Sequence, residues 1–490
     1  MMQPTSPIEL TGTAARFAEP ASLPEGFAAQ LAQLCAIVTD IAATAEASRD
    51  WWPLAMHWSL AGQVPQRAAV LARPVSTAEV AAVLTLCNQA GVPVTPAGGR
   101  SGVLGASVPL FGGVLLDLTA MQGVVSVDAV SGIVEVLPGT FGPDLEDELR
   151  DTHGLTVGHF PQSFDIATVG GWVACRGAGQ YSTRYGKIEQ MVVGLEVVLA
   201  DGTVTRTGGF PAGAQGPDLS QLFIGSEGTL GVVTRVWLKA HPMPPAERRG
   251  AFAFDTFETG LEACRGILRR GATPAVLRLY DAAESQRGQG GDGTYCVLLV
   301  LDEGDEGLIE ATMSVVEQEC SAATPLPVEL VEKWMHHRND TSALQALTHK
   351  GFVVDTLEIA APWAALAEIF REVPLAMLAV PHARAATCHL SHSYLDGACL
   401  YFTFAATPPR GEVESTYVAL WDAGQRAVFD HGGNLSHHHG VGLNRARFVP
   451  KALGSALPIL QTLKTALDPK GIMNPGKMGL ATSFGTVSWP

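Results

Sequence analysis

Three consecutive histidines stand in the segment Gly432-Gly-Asn-Leu-Ser-His-His-His-Gly-Val-Gly442. Imidazoles titrate near neutral pH and offer both donor and acceptor nitrogens. His437, His438 and His439 therefore suit proton transfer or hydrogen bonding to a substrate. A polar structural loop is the second reading. A metal site ranks third, because adjacent side chains diverge in strands and helices and do not converge easily on one ion. No metal is expected. Eight cysteines are scattered without CxxC pairs, which fits free thiols better than a disulfide or zinc framework.

Three glycine-punctuated loops carry a second kind of chemistry. They are Pro96-Ala-Gly-Gly-Arg-Ser-Gly-Val-Leu-Gly-Ala106, His159-Phe-Pro-Gln-Ser-Phe-Asp-Ile-Ala-Thr-Val-Gly-Gly171 and Gly225-Ser-Glu-Gly-Thr-Leu-Gly-Val-Val-Thr234. Glycine is needed where backbone takes a positive φ or approaches something closely. A large anionic cofactor lying across exposed backbone amides needs that three times over. The first loop is not the dinucleotide fingerprint GxGxxG and lacks the GxxxxGK[ST] of a P-loop, so nicotinamide and P-loop readings lose weight. Taken alone, the first loop reads equally well as a tight surface turn.

The elements that must position these loops are partly legible. Ser76-Thr-Ala-Glu79 reads as a capping box opening a helix, with Val80, Val83, Leu84 and Cys87 on one face and Gly91 as C-cap. Val92–Thr95 then reads as a strand feeding the first loop. Val197–Val204 reads as a hairpin around Asp201-Gly202. His241-Pro-Met-Pro-Pro245 reads as an exit linker, since its prolines cannot continue a strand or helix. Residues 1–23 read as loosely ordered. Phe27, Leu31, Leu34, Val38 and Ile41 then repeat at helical spacing and predict one amphipathic helix. Beyond residue 246, Tyr295–Leu301 and Ala398–Phe404 read as strands. Val413, Tyr417, Leu420, Trp421 and Val428 suit one buried helix face.

Composition bounds the rest. A chain of 490 residues holds two or more domains. With 47% hydrophobic and 16% charged residues it is a globular chain, and a net charge of −16 argues against nucleic acid as a partner. The N-terminus shows neither a basic n-region nor an apolar h-region, and no run is long and apolar enough to span a bilayer. A cytoplasmic protein is expected.

Together the three loops resemble the flavin-binding domain of the vanillyl-alcohol oxidase and p-cresol methylhydroxylase superfamily. The resemblance implies an α+β protein: a two-subdomain, β-rich FAD-binding domain of PCMH type over residues 61–245, after an N-terminal helical segment over 1–60. An α+β cap over 246–440 would close on the flavin and choose the substrate. A C-terminal segment over 441–490 would return to it, through Leu467-Asp-Pro-Lys-Gly-Ile-Met-Asn-Pro-Gly-Lys-Met478. FAD is implied, without a covalent link. Its implied contacts are Pro96, Gly98, Gly99, Arg100, Ser101, Gly102, Pro161, Ser163, Thr168, Gly170, Gly171, Gly177, Glu227, Gly231, Val233 and Asn474. The family pattern has a glycine where Arg100 stands.

The segments His159–Ser163, Leu277–Asp281, Asp396–Phe402 and Gly432–Gly442 are more narrowly similar to the alkyldihydroxyacetonephosphate synthases, flavoenzymes of ether-lipid synthesis. That resemblance implies Tyr401 as a proton-abstracting group supported by His437, His438 and His439, with His159 beside the flavin. Arg278 and Arg338 would bind an anionic phosphate or carboxylate head. A phenol has a reference pKa near 10, so Tyr401 would need a neighbouring imidazolium or arginine to ionise. The implied reaction exchanges an acyl group for a fatty alcohol on a dihydroxyacetone-phosphate ester. The alternative is a D-2-hydroxy acid dehydrogenase or oxidase of lactate or glycolate type. Some of these hold a metal with two histidines and a glutamate; here Tyr401 and His438 replace two of the three and His392 alone survives. A catalytically decayed flavin-binding protein is the third reading. A homodimer and a peripheral contact with lipid are also expected.

Overall fold

The computed structural model describes residues 12–17, 23–340, 342–487 and 489. Most of the segment expected to be loosely ordered, residues 1–23, lies outside them. The first unit is built on a four-stranded sheet. Its strands run in the order Ala36–Val38, Val70–Arg73, Val114–Asp117, Val94–Ala97. The last three are mutually parallel, so a crossover is required between Val70–Arg73 and Val94–Ala97. The helix Thr77–Ala90 supplies it, with Val80, Val83, Leu84 and Cys87 buried as the spacing predicted. Ser76 caps it by accepting from the Glu79 N–H, and Gly91 ends it at φ +66°. The Glu79 carboxylate reaches back one residue further than in a capping box, to the Val75 N–H.

A five-stranded antiparallel sheet follows, in the order Val204–Gly208, Val192–Val198, Val232–Lys239, Ile133–Val136, Val124–Asp128. The expected hairpin is its edge pair, turned by Asp201-Gly202 with Gly202 at φ +90°. Both sheets together form the two-subdomain β-rich unit. The single N-terminal helix is corrected. The chain instead forms a helix Phe27–Leu31, a strand Ala36–Val38 and a helix Ile41–Ala47. Asp40 caps the second helix through the Ala43 N–H, and Val38 pairs with Leu71 at the sheet edge. Pairing with a waiting strand overrides helical spacing, and Ile41, expected on the buried face, is 57% exposed. The proline segment is also not wholly irregular: His241–Pro242 bridges Leu155–Thr156, at an edge where proline's missing N–H costs nothing.

A seven-stranded antiparallel sheet begins at Ala246 and ends at Ala406, in the order Thr324–Pro325, Ala246–Phe254, Cys296–Gly304, Val276–Tyr280, Ala383–Ser393, Gly397–Ala406, Val353–Pro362. Its two faces differ because side chains alternate along a strand. Leu357, Ile359, Leu400, Phe402 and Phe404 are buried among the helices Phe257–Arg269, Glu306–Glu319, Trp363–Leu378 and Val413–Asp430. Full burial of each such side chain contributes about 1.5–3 kcal/mol. The opposite face carries Arg278, Glu358, His389 and Tyr401 and turns toward the first unit. The tail then comes home: the Val94 N–H donates to the Ile472 carbonyl and the Asn474 N–H to the Val94 carbonyl. No helix among the described residues is long and apolar enough to cross a membrane.

Candidate active site

Strand register lays out the site. Across adjacent strands, Tyr280 opposes His389, His389 opposes Tyr401, and Tyr401 opposes Glu358. These four therefore form one row on the face turned toward the first unit. Arg278, two residues before Tyr280, joins the row: its Nη2 lies 2.6 Å from His389 Nε2, and its Nε donates to the Tyr280 hydroxyl. His389 Nδ1 lies 2.7 Å from Glu284. With the guanidinium donating to Nε2, the His389 proton sits on Nδ1 and points at that carboxylate. The Tyr401 ring stacks on His389 at 4.9 Å, and its hydroxyl donates to Thr356 Oγ1 at 3.1 Å. A bulge between Leu390 and His392 turns both Ser391 and His392 toward the same cavity as Tyr401.

Glu358 organises the histidine loop. Its carboxylate accepts from the N–H groups of His437, His438 and His439 at 2.5, 3.1 and 3.0 Å, from Ser436 Oγ at 2.9 Å, and from Arg445 Nη1 at 2.7 Å. Burial pushes this carboxyl up, but the Arg445 guanidinium beside it and the surrounding donors pull it further down, to about 2. On the imidazoles burial outweighs the upward pull of the Glu358 carboxylate on His437 and His439. His437 falls to about 3, helped by Lys187, and His439 to about 4, while His438 falls well below its ordinary value. All three are neutral at physiological pH.

Two expectations change here. First, the adjacent histidines do not diverge. The loop is irregular, and His437 Nδ1 lies 2.9 Å from His438 Nδ1. Donor atoms of Glu358, Cys399, His437 and His438 all fall within 4.8 Å of one another. The Glu358 carboxylate is nevertheless committed to Arg445 and the loop amides and is not free to hold an ion. Second, no imidazolium stands beside Tyr401 to ionise it. Burial raises its pKa, and the phenol is neutral.

A cavity of about 460 Å³ runs between the three glycine loops and the Tyr401 row. Pro96, Gly98, Gly99, Arg100, Ser101, Gly102, Pro161, Ser163, Thr168, Gly170, Gly171, Gly177, Glu227, Gly231 and Val233 line it, as do His159, Arg278, Tyr401, His438 and His439. The glycines let the loops interlock. A Cβ on Gly99 would stand 1.9 Å from the Ile166 carbonyl, and one on Gly98 2.3 Å from Thr168 Oγ1. Arg100 adopts the left-handed φ of +56° that its position demands of a glycine.

These residues fit FAD. The N–H groups of Gly99, Arg100, Ser101 and Gly102 make no hydrogen bond within the described protein, and neither does Arg100 Nη1. Such a nest of amides beside a guanidinium suits a diphosphate. His159 is fully buried against Trp172 with both ring nitrogens unpartnered, its pKa lowered by burial to about 3. A polar ligand must complete it, since an unsatisfied buried polar group costs about 1–3 kcal/mol.

Three expected residues do not line the cavity. Asn474 instead ties loops together, its Nδ2 donating to the carbonyls of Ala106 and Glu227. Arg338 packs its guanidinium over Phe160, Tyr181 and Trp334 and makes a long contact with Gln180. His437 faces a second cavity, described below. Sequence reasoning passed over Glu358, Arg445, His389, Thr356, Ser182 and Tyr394. Alternating polar residues in Thr356-Leu-Glu-Ile359 carried a signal for two of these. The others become visible only when distant segments meet.

Residues 68–208 match the FAD binding domain family, and residues 243–478 match the C-terminal domain of FAD linked oxidases. The chain is 34% identical to an uncharacterized FAD-linked oxidoreductase, YgcU, of Escherichia coli K12, over 82% of this chain and 87% of that one. It is 29% identical to the alkyldihydroxyacetonephosphate synthase of Dictyostelium discoideum, over 85% of this chain and 74% of that one. A solved synthase of the same name superposes with a TM-score of 0.77 at 24% identity, covering 96% and 89% of the two chains. The glycolate oxidase subunit GlcD of Bacillus subtilis is 28% identical, over 84% and 88%.

Proposed function

The chain belongs to the FAD-linked oxidase family and uses FAD, and from that premise we propose that it exchanges an acyl group for a fatty alcohol on a dihydroxyacetone-phosphate ester. One observation carries this reading. A single cavity is lined by a cation, Arg278, by the neutral proton acceptors His438 and His439, by the phenol Tyr401, and by the apolar side chains of Trp51, Leu344 and Leu347. A phosphate head, a reacting carbonyl and an alkyl chain find matching walls there.

The chain's residues divide the work. Arg278, held by Tyr280 and His389, meets the anionic head. The Tyr401 hydroxyl, a neutral donor that gives its proton to Thr356 in the free site, would turn that proton to the substrate carbonyl and acidify the carbon beside it. His438 receives the proton from that carbon, since its Nε2 has no hydrogen-bond partner among the described residues. The acyl group departs as a carboxylate, the alcohol oxygen bonds to the carbon and sheds its proton, and the carbon regains the one it lost, so no electrons are consumed. FAD, when bound, would supply an electron-accepting centre. A homodimer and a peripheral contact with lipid belong to the same proposal, tested by sedimentation and vesicle flotation.

The GlcD relative favours a second reading, oxidation of a D-2-hydroxy acid whose carboxylate meets Arg278 and whose hydroxyl proton goes to an imidazole. Arg278→Lys separates the two from a decayed site. The point charge stays but the fork that holds His389 is lost, so an active enzyme should lose about tenfold or more in kcat/KM. Unchanged kinetics in Arg278→Lys would remove the arginine from substrate binding.

A further inference from the structure

A second cavity, of about 960 Å³, lies on the far side of the histidine loop. Lys187, Tyr394 and His437 are in its wall. Hydrogen bonds cross from one cavity to the other without a gap. His392, in the wall of the flavin cavity, has its Nδ1 2.8 Å from Ser182 Oγ. Ser182 Oγ is 3.0 Å from the Tyr394 hydroxyl, which is 2.9 Å from His437 Nε2. His437 Nδ1 continues to His438 Nδ1, and His438 borders both cavities. Three separate segments are needed to build this chain: the turn of helix Ser182–Tyr185, the bulged strand with its following Tyr394, and the histidine loop.

We propose that Ser182 and Tyr394 form a proton relay that connects the flavin-facing His392 to the second cavity, with the His438–His437 pair joining it at Tyr394. Every member is both donor and acceptor, which a relay requires. A proton arriving on His392 Nε2 releases the one on Nδ1 to Ser182 Oγ. The Ser182 hydroxyl proton passes to Tyr394, and the Tyr394 proton leaves to water or a base in the second cavity. No bond other than O–H and N–H forms or breaks, and no electrons move. Burial keeps His392 and His437 neutral and raises the Tyr394 phenol, so each group hands on a proton without resting in a charged state. Ser182 is 1% exposed and borders neither cavity, so its place is in the link itself. Ser182 and Tyr394 are positioning residues that act through His392. The proposal rests on the flavin cavity being the reaction chamber and not on which substrate enters it.

The test therefore uses no substrate. FAD in the holoprotein is photoreduced anaerobically and mixed in a stopped-flow instrument with ferricyanide and a pH-indicator dye. Ferricyanide takes one electron and no proton, so the protons of the reduced flavin must leave the protein. Flavin absorbance reports the electrons and the dye reports the protons. In the wild type the two traces coincide. In Tyr394→Phe and Ser182→Ala the dye should lag by about tenfold or more, free imidazole should remove the lag, and the double variant should lag no more than either single one. Coincident traces in both variants overturn the relay. So does a lag that imidazole leaves in place, or losses that multiply in the double variant. Failure of the ester exchange in the wild type would leave these traces unaffected and would count against the proposed substrate alone.

Discussion

Replacing Glu358 by Gln changes one atom and should unmake the histidine loop. The carboxylate accepts five hydrogen bonds, two on Oε2 from the His437 and His438 amides and three on Oε1 from the His439 amide, Ser436 and Arg445. An amide keeps one acceptor oxygen. If that oxygen stays with Arg445, its NH₂ faces the His437 and His438 N–H groups, and two buried donors are left unsatisfied at about 1–3 kcal/mol each. Arg445, itself fully buried, also loses its counter-charge, which costs about 3–5 kcal/mol when one partner of a buried pair is removed. Some of this is relieved as the loop rearranges, so we expect ~3–5 kcal/mol in total. In a unit of roughly 200 residues that lowers the melting midpoint by ~6–20 °C.

The sign of the pH dependence follows from the same pair. The folded carboxyl lies at about 2 against an ordinary 4.5. Its contribution is present above 4.5 and is lost as pH falls toward 2. The wild-type protein should therefore show a steeper acid limb than Glu358→Gln, which keeps the share of Glu284, also held at about 2. Calorimetry from pH 3 to pH 7 measures both effects. Glu358→Leu combined with Arg445→Met should recover much of the midpoint, because the charge pair goes as a whole, yet activity should stay low because the loop amides remain unheld. A Glu358→Gln midpoint within a couple of degrees of the wild type would refute the reasoning.

FAD should come free when the protein is precipitated with acid; yellow colour in the pellet would reveal a covalent link. Tyr401→Phe and His438→Ala should each keep FAD and lose about 10²-fold or more in turnover. The double variant should lose much less than the product, and fully multiplicative losses would assign them independent roles. Asp355 is buried beneath Tyr417 and Trp421, and burial raises its pKa to about 7 against an ordinary 3.8. The folded state thus holds a proton that the unfolded state has released, so stability falls as pH rises through that window, by about 1.4 kcal/mol per unit at most. Urea midpoints of Asp355→Asn should fall less between pH 4 and pH 7 than those of the wild type; parallel curves would contradict this.

The flavin unit was legible because its signals are local. Gly91, Asp201-Gly202 and the loop glycines each answer a backbone demand that glycine meets and other residues do not. Arg100 is instructive: the family pattern is broken in residue type, and the backbone keeps the glycine conformation nonetheless. The catalytic face was legible only in part. Tyr401 and the histidines could be named, but their electrostatics could not, because burial and the Glu358–Arg445 pair depend on residues 87 positions apart. The ordinary pKa of an imidazole leaves its charge near neutral pH open; desolvation makes all three neutral. The N-terminal helix failed for a similar reason, since helical spacing at Phe27, Leu31 and Val38 does not reveal a strand at Val70–Arg73 ready to pair.

Holoprotein is incubated without oxygen in D₂O with an acyl-dihydroxyacetone phosphate and a long-chain alcohol, while flavin absorbance is followed, and the products are examined by mass spectrometry. A proton taken from carbon by His438 and exchanged with solvent should return as deuterium. The account predicts an ether product carrying deuterium at the exchanged carbon, one carboxylate released per ether formed, and a flavin as oxidised at the end as at the start. Absence of ether, with rapid bleaching of the flavin when a D-2-hydroxy acid replaces the ester, would contradict it and establish the dehydrogenase reading in its place.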